Sequence, residues 1–359
     1  MKVEDKIKEI KAISEEIIGF DELTADLAKN EKLIAYDGFE PSGKIHIAQG
    51  LMRVLIINKL IEVGIDFKIL IADWLAYANN KLGGDLEKIK ITGEYYKHVW
   101  KACGLNDSKV EFLWTSNLVK DDDYWFLVMK IAKNTTLKRI IRCSQVMGRS
   151  ETGNLSAAQI LYPAMQAADI FYIKANIAQM GLDQRKVNML TRQIADEIGY
   201  KKPIAIHHHM IMSLLPPEKD GPKDKIERSI KMKMSKSKPD SAIFMSDSPE
   251  EIKTKILKAY CPTKIVVDNP IMEYFKYIVF CGFEKVEIKR ENKFGGDVTY
   301  LNYESFQTDY ENGSLFPLDV KINLVRYLNQ MLQPVRDYFI NNQEARSLQE
   351  QVESFTRKA

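Results

Sequence analysis

The apolar positions of this chain fall in blocks whose period changes along its length. Residues 4 to 30 carry them at helical spacing, which predicts two short amphipathic helices, the second introduced by Asp21 and rich in alanine and leucine. In EKLIAYDGFEPSG an apolar stretch ends in turn chemistry, and a helical run from Ile47 to Val63 follows, closed by Gly64. That order predicts a strand, a loop and a helix. DFKILIADWLAYANN is a continuous β-prone apolar run, suited to a strand buried in a parallel sheet. Residues 86 to 102 predict a helix, and VEFLWTSN another short strand. Strands alternate with helices over the first 215 residues, so the expected fold class is α/β, a doubly wound parallel sheet with ligands at the carboxyl ends of its strands.

After this the pattern changes. SLLPPEKDGPKDKIERS, from Ser213 to Ser229, is polar, with three prolines and a glycine, and reads as a connection. SPEE at Ser248 to Glu251 has a capping serine, a proline at the first helical position and a glutamate that completes a capping box. The expected division is a first domain at 1–240 and a mainly helical second domain at 241–359.

Composition narrows the class without naming a partner. A chain of 359 residues, 45% hydrophobic and 28% charged, is long enough for two cores and ordinary for a globular protein. A net charge of +3 does not by itself indicate a polyanionic partner. Cys103, Cys143, Cys261 and Cys281 form no C-x-x-C pair, which argues against a zinc or disulfide framework and fits a reducing cytoplasm. The first residues, MKVEDKIKEIKAISEEI, are charged and helical in period, and charge interrupts every long apolar stretch. Neither a signal peptide nor a membrane span is expected.

Two short segments carry anion-binding chemistry. PSGKIHIAQG, Pro41 to Gly50, places Ser42, Gly43 and His46 where a strand gives way to a helix, so backbone N–H groups and an imidazole are expected to face one anion at the helix start. KMSKS, Lys233 to Ser237, sets Lys233 and Lys236 around a small hydroxyl with Lys231 and Lys238 outside, in a segment without apolar periodicity. A solvated basic loop gives the same pattern. Elsewhere LYPAMQAAD puts Tyr162, Gln166 and Asp169 on one helical face within an apolar run, where polar groups are expensive to bury without partners. GLDQRK adds Asp183 and Gln184 at an expected strand end. Histidines 207 to 209 alternate across a strand and make a poor metal site; no metal site is expected.

HIAQ at His46 to Gln49, taken with KMSKS, resembles the HIGH and KMSKS signatures of class I aminoacyl-tRNA synthetases. Ala48 stands in place of glycine and Gln49 in place of the second histidine. YDG at Tyr36 to Gly38, YPAMQAAD and DQRK resemble the pocket motifs of the tyrosyl-tRNA synthetases of archaeal and eukaryotic type. The resemblance covers residues 30 to 340 and implies a Rossmann-like catalytic domain with a helical anticodon-binding domain. It implies ATP-dependent formation of tyrosyl-adenylate and transfer of tyrosine to the 3′ end of tRNA(Tyr), with Mg²⁺ carried on the ATP.

By that similarity His46, Lys233 and Lys236 serve catalysis, Tyr36 and Asp169 hold the substrate phenol, and Tyr162, Gln166 and Gln184 hold its ammonium group. Ser42, Gly43, His46, Gln49, Asp183, Lys233, Met234, Ser235, Lys236 and Ser237 contact ATP; Asp183 faces either the ammonium group or the ribose. The segment His207 to Leu214 lies beside adenine and acts through its backbone. Leu75 occupies the place of a family histidine, whose contact is either missing or supplied by Trp74 or another residue. KFGGDVTY and LFPLDVK resemble anticodon-domain motifs, which gives Asp319 the first anticodon base and makes Phe294 and Phe316 either stacking surfaces or core residues.

Lys138, Arg139, Arg142 and Arg149 form a basic stripe that suits either RNA or solvent, and Arg185 and Lys186 adjoin the pocket. A cytoplasmic homodimer joined near Tyr124 to Arg142 is expected. A tryptophan-specific relative, another nucleotidyltransferase and a non-catalytic RNA-binding descendant are the competing readings.

Overall fold

The structure is a computed structural model, and residues 1–29, 31–147, 154–217, 224–234 and 239–356 are described. Six short apolar segments form the main sheet: β1 (Glu16–Ile18), β2 (Ile34–Phe39), β3 (Asp66–Ile71), β4 (Val110–Trp114), β5 (Ile177–Gly181) and β6 (Ile204–His208). Their order across the sheet is β1-β6-β5-β2-β3-β4. Five strands run parallel, and β1 pairs antiparallel with β6 at the edge. A two-stranded antiparallel ribbon, β7 (Val286–Ile288) with β8 (Val298–Tyr300), lies in the otherwise mainly helical carboxyl-terminal part.

Alternation along the strands divides the core in two. Ala35, Phe67, Ile69, Ile177 and Ile206 enter one apolar cluster with Val54, Trp100 and residues of the carboxyl-terminal helices, among them Leu328 and Val352. Tyr36, Leu70, Ala178 and Met180 face the other way and join Leu127, Met165 and Leu190. Helices Leu51–Glu62 and Leu86–Ala102 therefore cover one face, and Asp122–Lys133, Ala157–Tyr172 and Arg185–Ile198 the other. The sheet is doubly wound, as expected. Tyr36 is delivered to the same side as the helix bearing Tyr162, Gln166 and Asp169.

Three local expectations are corrected. The first 30 residues contain a strand, β1, between helices Val3–Ala12 and Phe20–Ala28, and Gly19, not Asp21, occupies the second helix's N-cap. The run DFKILIADWLAYANN stops being a strand at Ile71 and becomes helix Asp73–Ala78. Asp73 explains the break, since its Oδ1 accepts from the N–H groups of Trp74 at 3.0 Å and Ser116 at 2.9 Å and nucleates a turn. The helix after PSG begins at Leu51, not Ile47. The capping box of Ser248 and Glu251 is formed, with Pro249 first in the helix. Among the described residues no helix is long and apolar enough to cross a membrane.

Gly93 fixes how closely helix Leu86–Ala102 lies on the sheet, because a Cβ there would stand 2.5 Å from Trp114 and 2.8 Å from Ile71. Gly93→Ala is expected to destabilise the fold by about 1–3 kcal/mol through overpacking, read as a lower urea midpoint with an unchanged slope.

Candidate active site

β2 and β5 are neighbours, yet their ladder holds only two pairs, Ala35 with Ile177 and Tyr36 with Ala178. Beyond them the strands' carboxyl-terminal residues, Asp37 to Phe39 and Gln179 to Gly181, are not paired to each other. The connection order also reverses here, the chain having gone outward through β3 and β4 before returning to β5. A doubly wound sheet opens its ligand crevice at such a point. A cavity of about 530 Å³ lies there, lined by residues from both halves, including Tyr36, Glu40, His46, Gln166, Asp183 and Lys233.

At one end is a buried polar cluster. The Tyr124 hydroxyl donates to Asp169 Oδ1 at 2.9 Å, and the Tyr36 hydroxyl faces the same carboxylate. Asp169 is fully buried, and its Oδ2 has no partner among the described residues. Burial raises its carboxyl to about 7, although both tyrosines pull it down. Asp169 lies outside the cavity's lining, which Tyr36 and Tyr162 form above it. Gly38 is required by this packing, since a Cβ there would stand 2.9 Å from the Tyr36 hydroxyl oxygen. Gln166 Nε2 donates to Gln184 Oε1 at 3.0 Å, while Gln166 Oε1 is buried without a partner among the described residues.

The Tyr162 hydroxyl is directed at Glu40, which also accepts from Asn79 Nδ2 at 3.0 Å and pairs with Lys81 Nζ at 3.2 Å. Leu75 is buried and lines the cavity, whereas Trp74 lies outside that lining and packs near Trp125.

The other end is built from the two sequence motifs. Gly43 has φ +108°, a conformation that L side chains rarely adopt, so the turn of PSG needs glycine there. His46 is not at a helix start. Ile47 N–H donates to the Ile243 carbonyl at 2.8 Å and Met245 N–H to the Ile45 carbonyl at 3.0 Å, which holds residues 45 to 47 extended against 243 to 245. The His46 carbonyl then accepts from Gln49 and Gly50, both at 2.9 Å, in a turn that precedes the helix. His46 therefore lines the cavity from a bridged strand segment, and the helix dipole argument does not apply to it. The Gln49 carbonyl accepts from Trp100 Nε1 at 2.9 Å, and its side-chain oxygen is buried without a partner among the described residues.

Lys233 pairs with Asp183, Nζ to Oδ2 at 2.9 Å, and this raises the lysine's pKa. Met234 is buried, with the Tyr274 hydroxyl 3.8 Å from its sulfur. Ser235, Lys236 and Ser237 lie outside the described residues, as does Arg149.

Between the two ends stands a network absent from the sequence reading. Arg53, 2% exposed, donates from Nη2 to Asp37 Oδ2 at 2.8 Å and to the Gln179 carbonyl at 3.3 Å, and from Nη1 to His208 Nδ1 at 3.0 Å. A guanidinium only donates, so Nδ1 of His208 accepts and the ring's proton sits on Nε2. Burial and the Arg53 charge hold His208 neutral, well below its usual range. Burial pushes the Asp37 carboxyl up to about 7 against the pull of Arg53. The sequence signals were an aspartate inside an apolar strand and an arginine inside LMRVLII, each implausible alone and mutually explained as a pair. Tyr124, Glu40 and Asn79 had no comparable signal.

His207 points the other way from His208, its Nδ1 3.0 Å from Glu16 and its Nε2 3.0 Å from Asn188. No group of three His, Cys, Asp or Glu among the described residues is placed to hold a metal ion. Arg185, expected beside the pocket for nucleic acid, is turned to β1 and donates from Nε to both Glu16 oxygens at 3.0 and 2.9 Å. Lys138 and Arg142 are exposed on helix Leu137–Cys143, and Arg139 is half-buried. Phe294 and Phe316 are 54% and 53% exposed, which removes the core alternative for both. Asp319 Oδ2 accepts from the Phe316 N–H at 3.2 Å at the start of helix Pro317–Asn341.

Comparison with known proteins agrees with this geometry. Residues 28–333 match the sequence model of the tRNA synthetases class I (W and Y). The chain is 50% identical to the cytoplasmic tyrosine–tRNA ligase 1 of Arabidopsis thaliana over 98% of its own length and 89% of that protein. The tyrosyl-tRNA synthetase of Pyrococcus horikoshii complexed with L-tyrosine superposes with a TM-score of 0.90 at 37% identity, covering 98% of this chain and all of that one. The Leishmania major tyrosyl-tRNA synthetase in complex with tyrosinol gives 0.89 at 40%, covering all of this chain and 66% of that one, so the Leishmania protein extends beyond the match. A tryptophanyl-tRNA synthetase from Aeropyrum pernix, at 20% identity and a TM-score of 0.68, shares the fold alone. With its motifs assembled around one crevice and these likenesses over nearly its whole length, the chain belongs to the class I tRNA synthetases, in the tyrosine-specific branch of archaeal and eukaryotic type.

Proposed function

We propose that this protein is a tyrosine–tRNA ligase, activating L-tyrosine with ATP and transferring it to the 3′ end of tRNA(Tyr) in the cytoplasm. The observation that carries the reading is Asp169, buried, with one oxygen held by Tyr124 and the other without a partner among the described residues beside Tyr36. A substrate phenol that reaches past the Tyr36 and Tyr162 lining supplies the missing donor. Phenylalanine leaves the carboxylate unpaired, and the indole N–H of tryptophan makes no use of Tyr36 as a donor. Gln166 Oε1 supplies an acceptor for the substrate ammonium group.

In activation the tyrosine carboxylate attacks the α-phosphorus, the bond to the bridging oxygen breaks, and diphosphate leaves. The nucleophile is already ionised, so no general base is needed and the protein contributes alignment and charge. His46, Lys233 and Lys236 face the phosphates, Ser42, Gly43, Gln49, Asp183, Met234, Ser235 and Ser237 complete the ATP site, and Mg²⁺ arrives on the nucleotide. A terminal ribose hydroxyl of the tRNA then attacks the adenylate carbonyl and AMP departs. Residues 1–240 form the catalytic unit and 241–359 the anticodon unit, where exposed Phe294 and Phe316 offer stacking surfaces and Asp319 an acceptor for a base.

A homodimer fits the surface. Phe126, Met129 and Leu137, inside the expected interface, are 65%, 60% and 60% exposed, an apolar face that an isolated subunit leaves in water. Tyr124 is fully buried and belongs to the pocket instead.

Amino-acid-dependent diphosphate exchange into ATP is expected with tyrosine and not with phenylalanine or tryptophan; stimulation by tryptophan alone overturns the pocket assignment. Asp169→Asn is expected to lower kcat/KM for tyrosine about 10–100-fold and to narrow the margin over phenylalanine in the same assay. Asp319→Ala is expected to weaken tRNA charging about tenfold through KM for the RNA, with the exchange reaction unchanged; a parallel fall in both would make the residue structural. Phe126→Glu combined with Met129→Glu is expected to shift the protein from dimer to monomer in sedimentation velocity.

A further inference from the structure

The segment from His209 to Met212 is a thin wall. His209 and Met210 line the active-site cavity on one side and a second cavity of about 700 Å³ on the other. Ile211 and Met212 are buried and anchor one end of the wall by packing, while polar tethers hold its backbone at both edges. On one edge Met212 forms a bridge with Lys233, Ser213 N–H donates to the Met232 carbonyl at 2.7 Å, and Met234 N–H donates to the Ile211 carbonyl at 3.4 Å. The backbone carrying the Lys233 ammonium thus hangs on this wall.

On the other edge the wall hangs on Glu273, from helix Pro270–Tyr274 of the carboxyl-terminal part. Glu273 Oε2 accepts from the Met212 N–H at 2.8 Å, and Oε1 lies 3.1 Å from His209 Nε2. His209 Nδ1 faces Glu15 at 3.5 Å, and its ring stacks on Tyr277 with centroids 4.2 Å apart and planes 8° from parallel. The two carboxylates raise His209 to about 9, so it stays a cation between them. Glu273 lines the second cavity and not the active-site cavity.

We propose that Glu273 is a positioning residue for Lys233, acting through the Met212 backbone to set where the lysine ammonium stands over the triphosphate during tyrosine activation. This rests on the reading of Lys233 as a phosphate-facing group. Misplacement of a reacting or charge-bearing group by about 1 Å can cost about 100-fold in rate, so a side-chain tether on the backbone that bridges to the lysine is a sensitive control point. A consequence is that a residue of the carboxyl-terminal part governs a step that involves no tRNA.

The test is a double-mutant cycle in diphosphate exchange with the full chain. Glu273→Ala is expected to lower kcat/KM for ATP about tenfold with KM for tyrosine unchanged, and to cost less than about twofold more when Lys233→Ala is already present. Tyrosine affinity without ATP, by equilibrium dialysis, checks that the pocket is intact. Should Glu273→Ala not fold, Glu273→Asp, which keeps the charge and withdraws it by one methylene, carries the same cycle with a smaller effect. Additive losses, or a rise in KM for tyrosine that accounts for the fall, overturn the positioning role while leaving Lys233's own role standing. A Lys233→Ala variant as active as the wild type overturns both.

Discussion

A guanidinium buried where two strands part company organises this site. Arg53 reaches from the helix after the first motif to the carboxylate of β2, the backbone of β5 and the imidazole at the end of β6. The ends of β5 and β6 stay paired to each other through Gly181 and His208, whereas the ladder between β2 and β5 stops after two pairs, so Arg53 spans the gap between β2 and that pair. Replacing a buried ion pair with apolar residues often leaves stability unchanged or improves it, so such a pair is weak evidence for a purely structural role. Here its effect is geometric. It keeps the crevice open and holds His208 in one tautomer at its wall.

Ordinary strand bridging holds a residue of each signature segment, His46 against Phe244 and Lys233 against Met212. Residues 45 to 47 lie extended against 243 to 245, just after the lysine-bearing stretch. Gly50 belongs to the same contact, since a Cβ there would stand 2.6 Å from the Met245 side chain. His46 and Lys233 thus come to line one cavity through contacts of the folded chain itself.

Much of the architecture was legible beforehand because the strands are short, apolar and bounded by turn chemistry. The face shared by Tyr162, Gln166 and Asp169 followed from helical spacing alone. What escaped was decided by tertiary contacts. Nothing local distinguishes β1 from the helices around it; its partner, β6, lies nearly two hundred residues away. His46 looked like a helix-start residue, but pairing with Phe244 outweighed the helical pattern that follows. Tyr124 was placed in a surface stretch by its sequence neighbours, while its own side chain turns inward to Asp169. Arg185 was read as a pocket-side contact for nucleic acid from its place in DQRK, and a glutamate from the first strand claims it.

Helix Asp122–Lys133 presents two sides with different duties. Phe126 and Met129 stand outward on it, while Tyr124 grips the buried carboxylate from within. One rigid rod thus connects the molecule's exterior with the buried carboxylate of Asp169. Under the proposed dimer and pocket, a load laid on the outer flank would reach Asp169 over little more than a single helical turn, so assembly and substrate choice would share a lever.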